Sequence, residues 1–290
     1  LFRQRARQAG APVADADLES VAAVCRHLDG VPLALELAAS RLRSLDVATL
    51  RDGLEGDAGA GSATVGGSRH PSLQAVVAWS CSSLDVDSVA LFSQLAVFSG
   101  GFTRAAAERV ADPALPVAEC LARLVDASLV VVDDGRYRLL DAVRAVAAAT
   151  LAESANAVQV GARHTAWVVD FLEEAGDGLR SGDETAWAER VAAELGNVRS
   201  AWRRAVAAGD VDAAARIVVA LRSYTVWRWA GGDELHAWAR VLVLIDSPGL
   251  RGSPHESAVY GVAAEAALAR GDLAEATDLA RRGLQAADGS

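Results

Sequence analysis

The residue types that do chemistry are present in this chain, but their spacing disperses them. His27, His70, His164, His236 and His255 show no H-E-x-x-H or other metal-ligand spacing. Cys25, Cys81 and Cys120 are far apart and odd in number, each among apolar neighbours in helical patterning. That predicts buried free thiols and a reducing cytoplasm. No G-x-S-x-G nucleophile elbow occurs. The acidic pairs Glu173-Glu174 and Asp133-Asp134 read as solvated faces or turns. Gly61-Ser62-Ala63-Thr64-Val65-Gly66-Gly67-Ser68 imitates the spacing of a phosphate-binding loop. Such a loop needs G-x-x-x-x-G-K-[ST], because backbone amides cradle the phosphates and the lysine offsets their charge. Gly67 stands where that lysine must be, no strand precedes it, and all 28 cationic side chains are arginine. Gly59 and Gly61 begin a dinucleotide-like pattern that fails at Thr64. By this reading residues 1–290 are not an enzyme, they hold no metal, and Gly61–Ser68 is a linker.

The elements that would position any site are helical. The apolar fraction is 52%, mostly Ala, Val and Leu, with only 5% aromatics, which favours small-residue helices packed closely. A net charge of −10 argues against a general nucleic-acid surface. No run approaches the ~18 apolar residues of a membrane span, and Arg3, Arg5 and Arg7 interrupt any leader-like start. A cytoplasmic protein without membrane contact is expected. Methionine is absent, so Leu1 is expected to lie inside a longer product.

Residues 15–55 read as short helices: Leu18, Val21, Ala22, Cys25 and Leu28 follow a 3–4 spacing, with Asp15 or Asp17 available as a cap. Asp29-Gly30-Val31-Pro32-Leu33 then makes a tight turn. Gly30 supplies backbone freedom, and Pro32 suits the first position of the next helix. A Gly/Ala/Ser-rich linker follows from Gly53 to Ser68. Three helices come next: one around Trp79, one carrying Leu91, Leu95 and Phe98, and one over Val117–Asp126. After them, Leu129–Val132, Asp134-Gly135 and Tyr137–Leu140 carry a hairpin signal. A helix resumes at Asp141, so the set matches a winged-helix domain. Everything after about Glu153 reads as helix. Gly-Asp pairs recur irregularly at 176, 182, 209, 232 and 271, and Gly271–Leu284 resembles the second helix of a tetratricopeptide repeat. A solenoid ending there lacks a cap, so a further neighbour is expected.

Taken in order, these pieces resemble one family. Gly30-Val31-Pro32-Leu33 resembles the GLPL motif of signal-transduction ATPases with an NB-ARC-type module, with Val31 for its first Leu. Leu1-Phe2 with Arg5-Ala6 resembles the helix after the ATPase core. Arg69–Leu73 with Trp79-Ser80 resembles the entry to the winged helix. Leu95–Phe102 and Leu124–Leu129 resemble its interior, Tyr137–Arg144 its end, and Glu194–Arg199 the helical region. The subgroup most similar is the large AfsR- or LuxR-type regulators, which carry a separate DNA-binding domain.

The resemblance implies a mainly α chain in three parts. Residues 1–68 form an ARC-like helical segment with the linker, 69–152 a winged helix with a small β-hairpin, and 153–290 helical repeats. It also implies an ATPase core upstream in the same chain, with ATP/ADP and Mg bound by the full-length parent and any slow ATPase activity residing there. None of these cofactors would be held by residues 1–290. Pro32 corresponds to the proline that packs near the adenine; read alone, it starts a helix. Asp141 corresponds to the Asp of the MHD motif, with Leu139 and Leu140 at the Met and His positions. Leu140 cannot donate a hydrogen bond to a phosphate, and Asp141 suits a helix cap.

The function expected is the regulatory and scaffold portion of a nucleotide-switch transcriptional regulator. Its helical repeats would receive a protein or small-ligand signal, and its oligomer would depend on nucleotide. Direct DNA contact by this segment is not expected, because Val117–Asp126 offers only Arg123 against Glu119 and Asp126. Trp202, Trp227, Trp229 and Trp238 read as packing between helices rather than as a ligand cage. A stand-alone helical adaptor and the same module fused to a nucleotide cyclase are the alternatives.

Overall fold

The computed structural model describes residues 1–43, 45–57, 71–228, 232–245 and 249–288. Among the described residues the chain is mainly helical with one small antiparallel hairpin, and the chain divides into two compact units. The first comprises residues 1–96 and 101–157; the second comprises residues 97–100 and 158–290.

In the first unit α1 (Phe2–Gln8) packs on α3 (Pro32–Ser40), and α2 (Leu18–His27) packs on α4 (Val47–Asp57). The turn between α2 and α3 has a definite chemistry. Asp29 and Gly30 both take left-handed φ values, 52° and 65°. The Asp29 amide donates to Arg26 O and the Gly30 amide to Cys25 O, which satisfies the last carbonyls of α2. Val31 is then the extended cap residue, and Pro32 opens α3 at its first turn. The expected linker starts later than the composition suggested, because residues 53–57 still belong to α4. Gly53 is helical for a packing reason. A Cβ there would lie 2.3 Å from the indole nitrogen of Trp79 on α5 (Pro71–Ser82). The phosphate-loop look-alike Gly61–Ser68 and the pair Arg69-His70 lie outside the described residues.

Helices α6 (Val86–Gln94), α7 (Arg104–Val110) and α8 (Val117–Asp126) follow, with caps that the sequence supplies. Asp85 accepts from the Ser88 amide and Thr103 from the Ala106 amide. Helix α7 is one more than the sequence pattern showed; its Ala-Ala-Ala core carries no large apolar stripe. Strands β1 (Val131–Asp133) and β2 (Arg136–Arg138) pair with Val132 opposite Tyr137. Asp134 and Gly135 both have positive φ, the requirement of a two-residue type I′ turn. Helix α9 (Asp141–Glu153) closes the unit, burying Val143, Ala147 and Leu151.

The second unit is six helices: α10 (Ala157–Gly178), α11 (Glu184–Ala208), α12 (Val211–Arg228), α13 (Gly232–Ile245), α14 (Glu256–Ala269) and α15 (Leu273–Asp288). Two of the Gly-Asp pairs combine a stop with a start. Gly209 and Gly271 have φ of 69° and 79°, and Asp210 and Asp272 cap α12 and α15 through the Ala213 and Glu275 amides. Gly176-Asp177, by contrast, is inside α10.

A period of 43 residues links α10, α12 and α14. Arg216 grips Glu173, Arg222 grips Glu265, and Arg180 reaches Ser223, each across 43 positions. This is longer than the ~34 residues of a tetratricopeptide unit. The Gly-Asp pairs hide it because Gly209 falls between α11 and α12, whereas Gly271 falls between α14 and α15.

Candidate functional site

The two positions singled out by the GLPL and MHD resemblances are both on the surface. Pro32 is exposed at the start of α3. Asp141 is the first residue of α9 rather than its cap, which is Leu140. Its carboxylate is 97% exposed and 3.5 Å from Arg144 one turn on. There it favours the positive end of the helix dipole without capping an amide. Among the described residues, neither position forms part of a phosphate cradle.

Helix α8 presents Ala118, Glu119, Ala122, Arg123 and Asp126 to solvent. Arg123 is 3.1 Å from the Asp85 carboxylate, so its charge is already paired. A shallow depression beside α8 is lined by Glu108, Asp112 and Glu119, which gives that face an acidic potential. Near the start of the chain, Arg3 pairs with Asp15 and Arg5 with Glu36.

The best-organised polar site is in the second unit, where two quoted sequence stretches meet. The Ser99 amide donates to Asn197 Oδ1 at 2.7 Å, and the Asn197 amide nitrogen donates to Glu194 Oε2 at 2.5 Å. Asn197 and Glu194 are buried, and neither burial is affordable without such partners. Gly196 makes the approach possible: a Cβ there would stand 2.2 Å from the Ser99 carbonyl oxygen. Residues 194, 196 and 197 of α11 thus clasp residues 97–100, a segment continuous in sequence with the first unit on both sides.

His164 of α10 completes this site. Its ring is fully buried, edge-on to Phe98 at 5.2 Å and beside Trp167. Arg204 of α11 donates to Nδ1 at 3.0 Å, which places the ring proton on Nε2. Burial first, and the Arg204 charge second, push the His164 pKa down to about 3, against a smaller opposing effect of Asn197. The Arg204 stem fits because position 161 is glycine; a Cβ there would be 2.8 Å from Arg204 Cδ. Neutral His164 is therefore a packing and orienting group, not a physiological acid or base.

The thiols differ from the sequence expectation. Cys120 is buried, but Cys25 and Cys81 are half-buried. Burial raises Cys81 to about 11, against the opposing charge of Arg41. Among the described residues no three His, Cys, Asp or Glu side chains group as a metal site, and no helix is long and apolar enough to cross a membrane. Trp202 and Trp238 stack at 4.8 Å, as packing predicts; the side chains of Trp227 and Trp229 lie outside the described residues.

Comparison with known proteins adds direction. The chain is 35% identical over 238 residues to proteins of Mycobacterium bovis and Mycobacterium tuberculosis provisionally named HTH-type transcriptional regulators. The alignment covers 77% of this chain and 26% of each of those proteins. It is also 39% identical over 177 residues to an uncharacterized protein of M. tuberculosis, covering 57% of this chain and 45% of that protein. The chain thus spans about a quarter of the length of the regulators it matches. No family model and no solved structure matches it.

Proposed function

We propose that residues 1–290 are the regulatory and scaffold portion of a larger transcriptional regulator switched by ATP and ADP. The observation that carries this reading is the 35% identity over 238 residues to much longer proteins named as HTH-type regulators. The order of elements supports it: helices α5–α8, the hairpin and α9 follow the sequence of a winged-helix domain, and paired helices follow it as degenerate repeats.

In this reading the nucleotide is held by an upstream core, with Pro32 as the nearest contribution of this segment. DNA is contacted by another domain, since the α8 face is acidic and its one arginine is paired. The helical region receives a protein or small-ligand signal. Its route onward is the clasp of Glu194, Gly196 and Asn197 on residues 97–100. A signal that shifts α11 changes how that segment is held, and chain continuity carries the change to residues 95 and 101. The setting is the cytoplasm, and assembly depends on the nucleotide state.

The test is the nucleotide content of the full-length polypeptide containing residues 1–290. About one ADP per chain, released on denaturation and exchangeable for ATP with a change in oligomeric state, is expected. A full-length polypeptide that binds neither nucleotide would leave the stand-alone helical adaptor as the reading.

A further inference from the structure

The second unit also contains a partly enclosed cavity. It measures about 160 Å³ and lies between α11, α12 and α13. Leu195, Val198, Leu221 and Leu235 line it with the aromatic rings of Tyr224 and Trp238. An apolar cavity of this size holds a benzene-sized body.

Its rim is not apolar. Arg199 and Glu234 line the same cavity, and the Arg199 Nε lies 2.9 Å from both Glu234 carboxylate oxygens. The second guanidinium nitrogen lies 2.9 Å from Oε2. The rim therefore already shows a guanidinium fork engaged with a carboxylate, the geometry that recognises carboxylates in general.

Two features make the resident carboxylate exchangeable. Both side chains are well exposed, at 48% and 39%, and ion pairs at such sites contribute little. Glu234 also sits in the first turn of α13, where the helix dipole stabilises it whether or not Arg199 is its partner.

We propose that this cavity binds a small monocarboxylate with a compact aromatic or branched apolar body, its carboxylate taking the place of Glu234 on Arg199. The body fills the space between Tyr224 and Trp238, and Glu234 swings to solvent. Charge selects the head, and volume limits the tail. Leu195, Val198 and Arg199 belong to the same turns of α11 as Gly196 and Asn197, so an occupied cavity loads the helix that clasps residues 97–100. The proposal rests on the reading of the helical region as the signal-receiving part.

The experiment is calorimetric titration of the 290-residue chain with phenylacetate, using neutral phenylacetamide as the control. Saturable one-site binding of phenylacetate, about threefold tighter than the amide, is expected. Arg199→Gln should weaken it about threefold. Glu234→Gln, an exposed isosteric change that spares the fold, should tighten it at least threefold by removing the competitor. No saturable binding, equal affinity for the amide, or weaker binding by Glu234→Gln would overturn the proposal. Because binding is read on the chain itself, its failure leaves the nucleotide content of the full-length polypeptide, which tests the parent reading, unaffected.

Discussion

His164 and Asn197 carry the sharpest consequences at the scale of single residues. A histidine whose pKa falls from 6.5 unfolded to about 3 folded takes up its proton more readily when unfolded. Its contribution is therefore fully present above about pH 6.5 and is lost as pH falls from there toward 3, by up to about 1.4 kcal/mol per pH unit. Wild type and His164→Gln should accordingly differ in the slope of unfolding free energy against pH between 6.5 and 3, the variant being the flatter. Denaturant melts at several pH values check this. Asn197→Ala strands the Ser99 amide and frees Glu194 from a partner, at a cost of about 1–3 kcal/mol. Gly196→Ala should cost more, since its Cβ meets backbone that cannot swing aside. Thermal melts that rank the two variants the other way would show that the hydrogen bonds of Asn197, rather than the close approach at Gly196, hold the clasp. None of this was legible from type or spacing. The sequence shows Asn and His as ordinary helical polar residues, and only their burial against residues 97–100, far away in sequence, makes them matter.

At the scale of elements, the local rules were readable wherever one short stretch decides the outcome. The Val117–Asp126 helix and the Asp134-Gly135 turn appear where patterning and positive-φ chemistry put them. The break before Pro32 was readable too, though its left-handed strain is shared by Asp29 as well as Gly30. A residue with a Cβ costs about 1–2 kcal/mol in that conformation. Asp29→Gly should therefore stabilise the first unit by up to about 1 kcal/mol, and Gly30→Ala should destabilise it by a similar amount, as urea midpoints would show. What patterning missed has a physical cause in each case. Helix α7 is alanine-rich and short. Residues 53–57 look like linker until Gly53 is seen to admit Trp79. The 43-residue period is written in ion pairs between helices rather than in the breaks between them.

At the scale of the whole molecule, charge and length limit what residues 1–290 do. The net charge is −10, the depression beside α8 is acidic and Arg123 is held by Asp85, so the α8 face offers little positive charge to neutralise phosphates. The 290-residue chain should leave a labelled DNA duplex unshifted even at low salt, and a saturable shift lost on Arg123→Glu would refute that. Resemblance, not composition, pointed to a regulator, and the mycobacterial relatives point the same way. Pro32 is exposed at the start of α3, and its proposed place near a nucleotide rests on the resemblance of Gly30-Val31-Pro32-Leu33 alone.

In the proposed function the helical region governs a nucleotide switch through its hold on residues 97–100. The most direct measurement is the rate of ADP release from the full-length polypeptide carrying Asn197→Ala, followed with a fluorescent ADP analogue. Release at least tenfold faster than wild type, measured well below the melting temperature of the variant, is the predicted result. An unchanged rate in a variant shown to have lost the clasp would contradict the account.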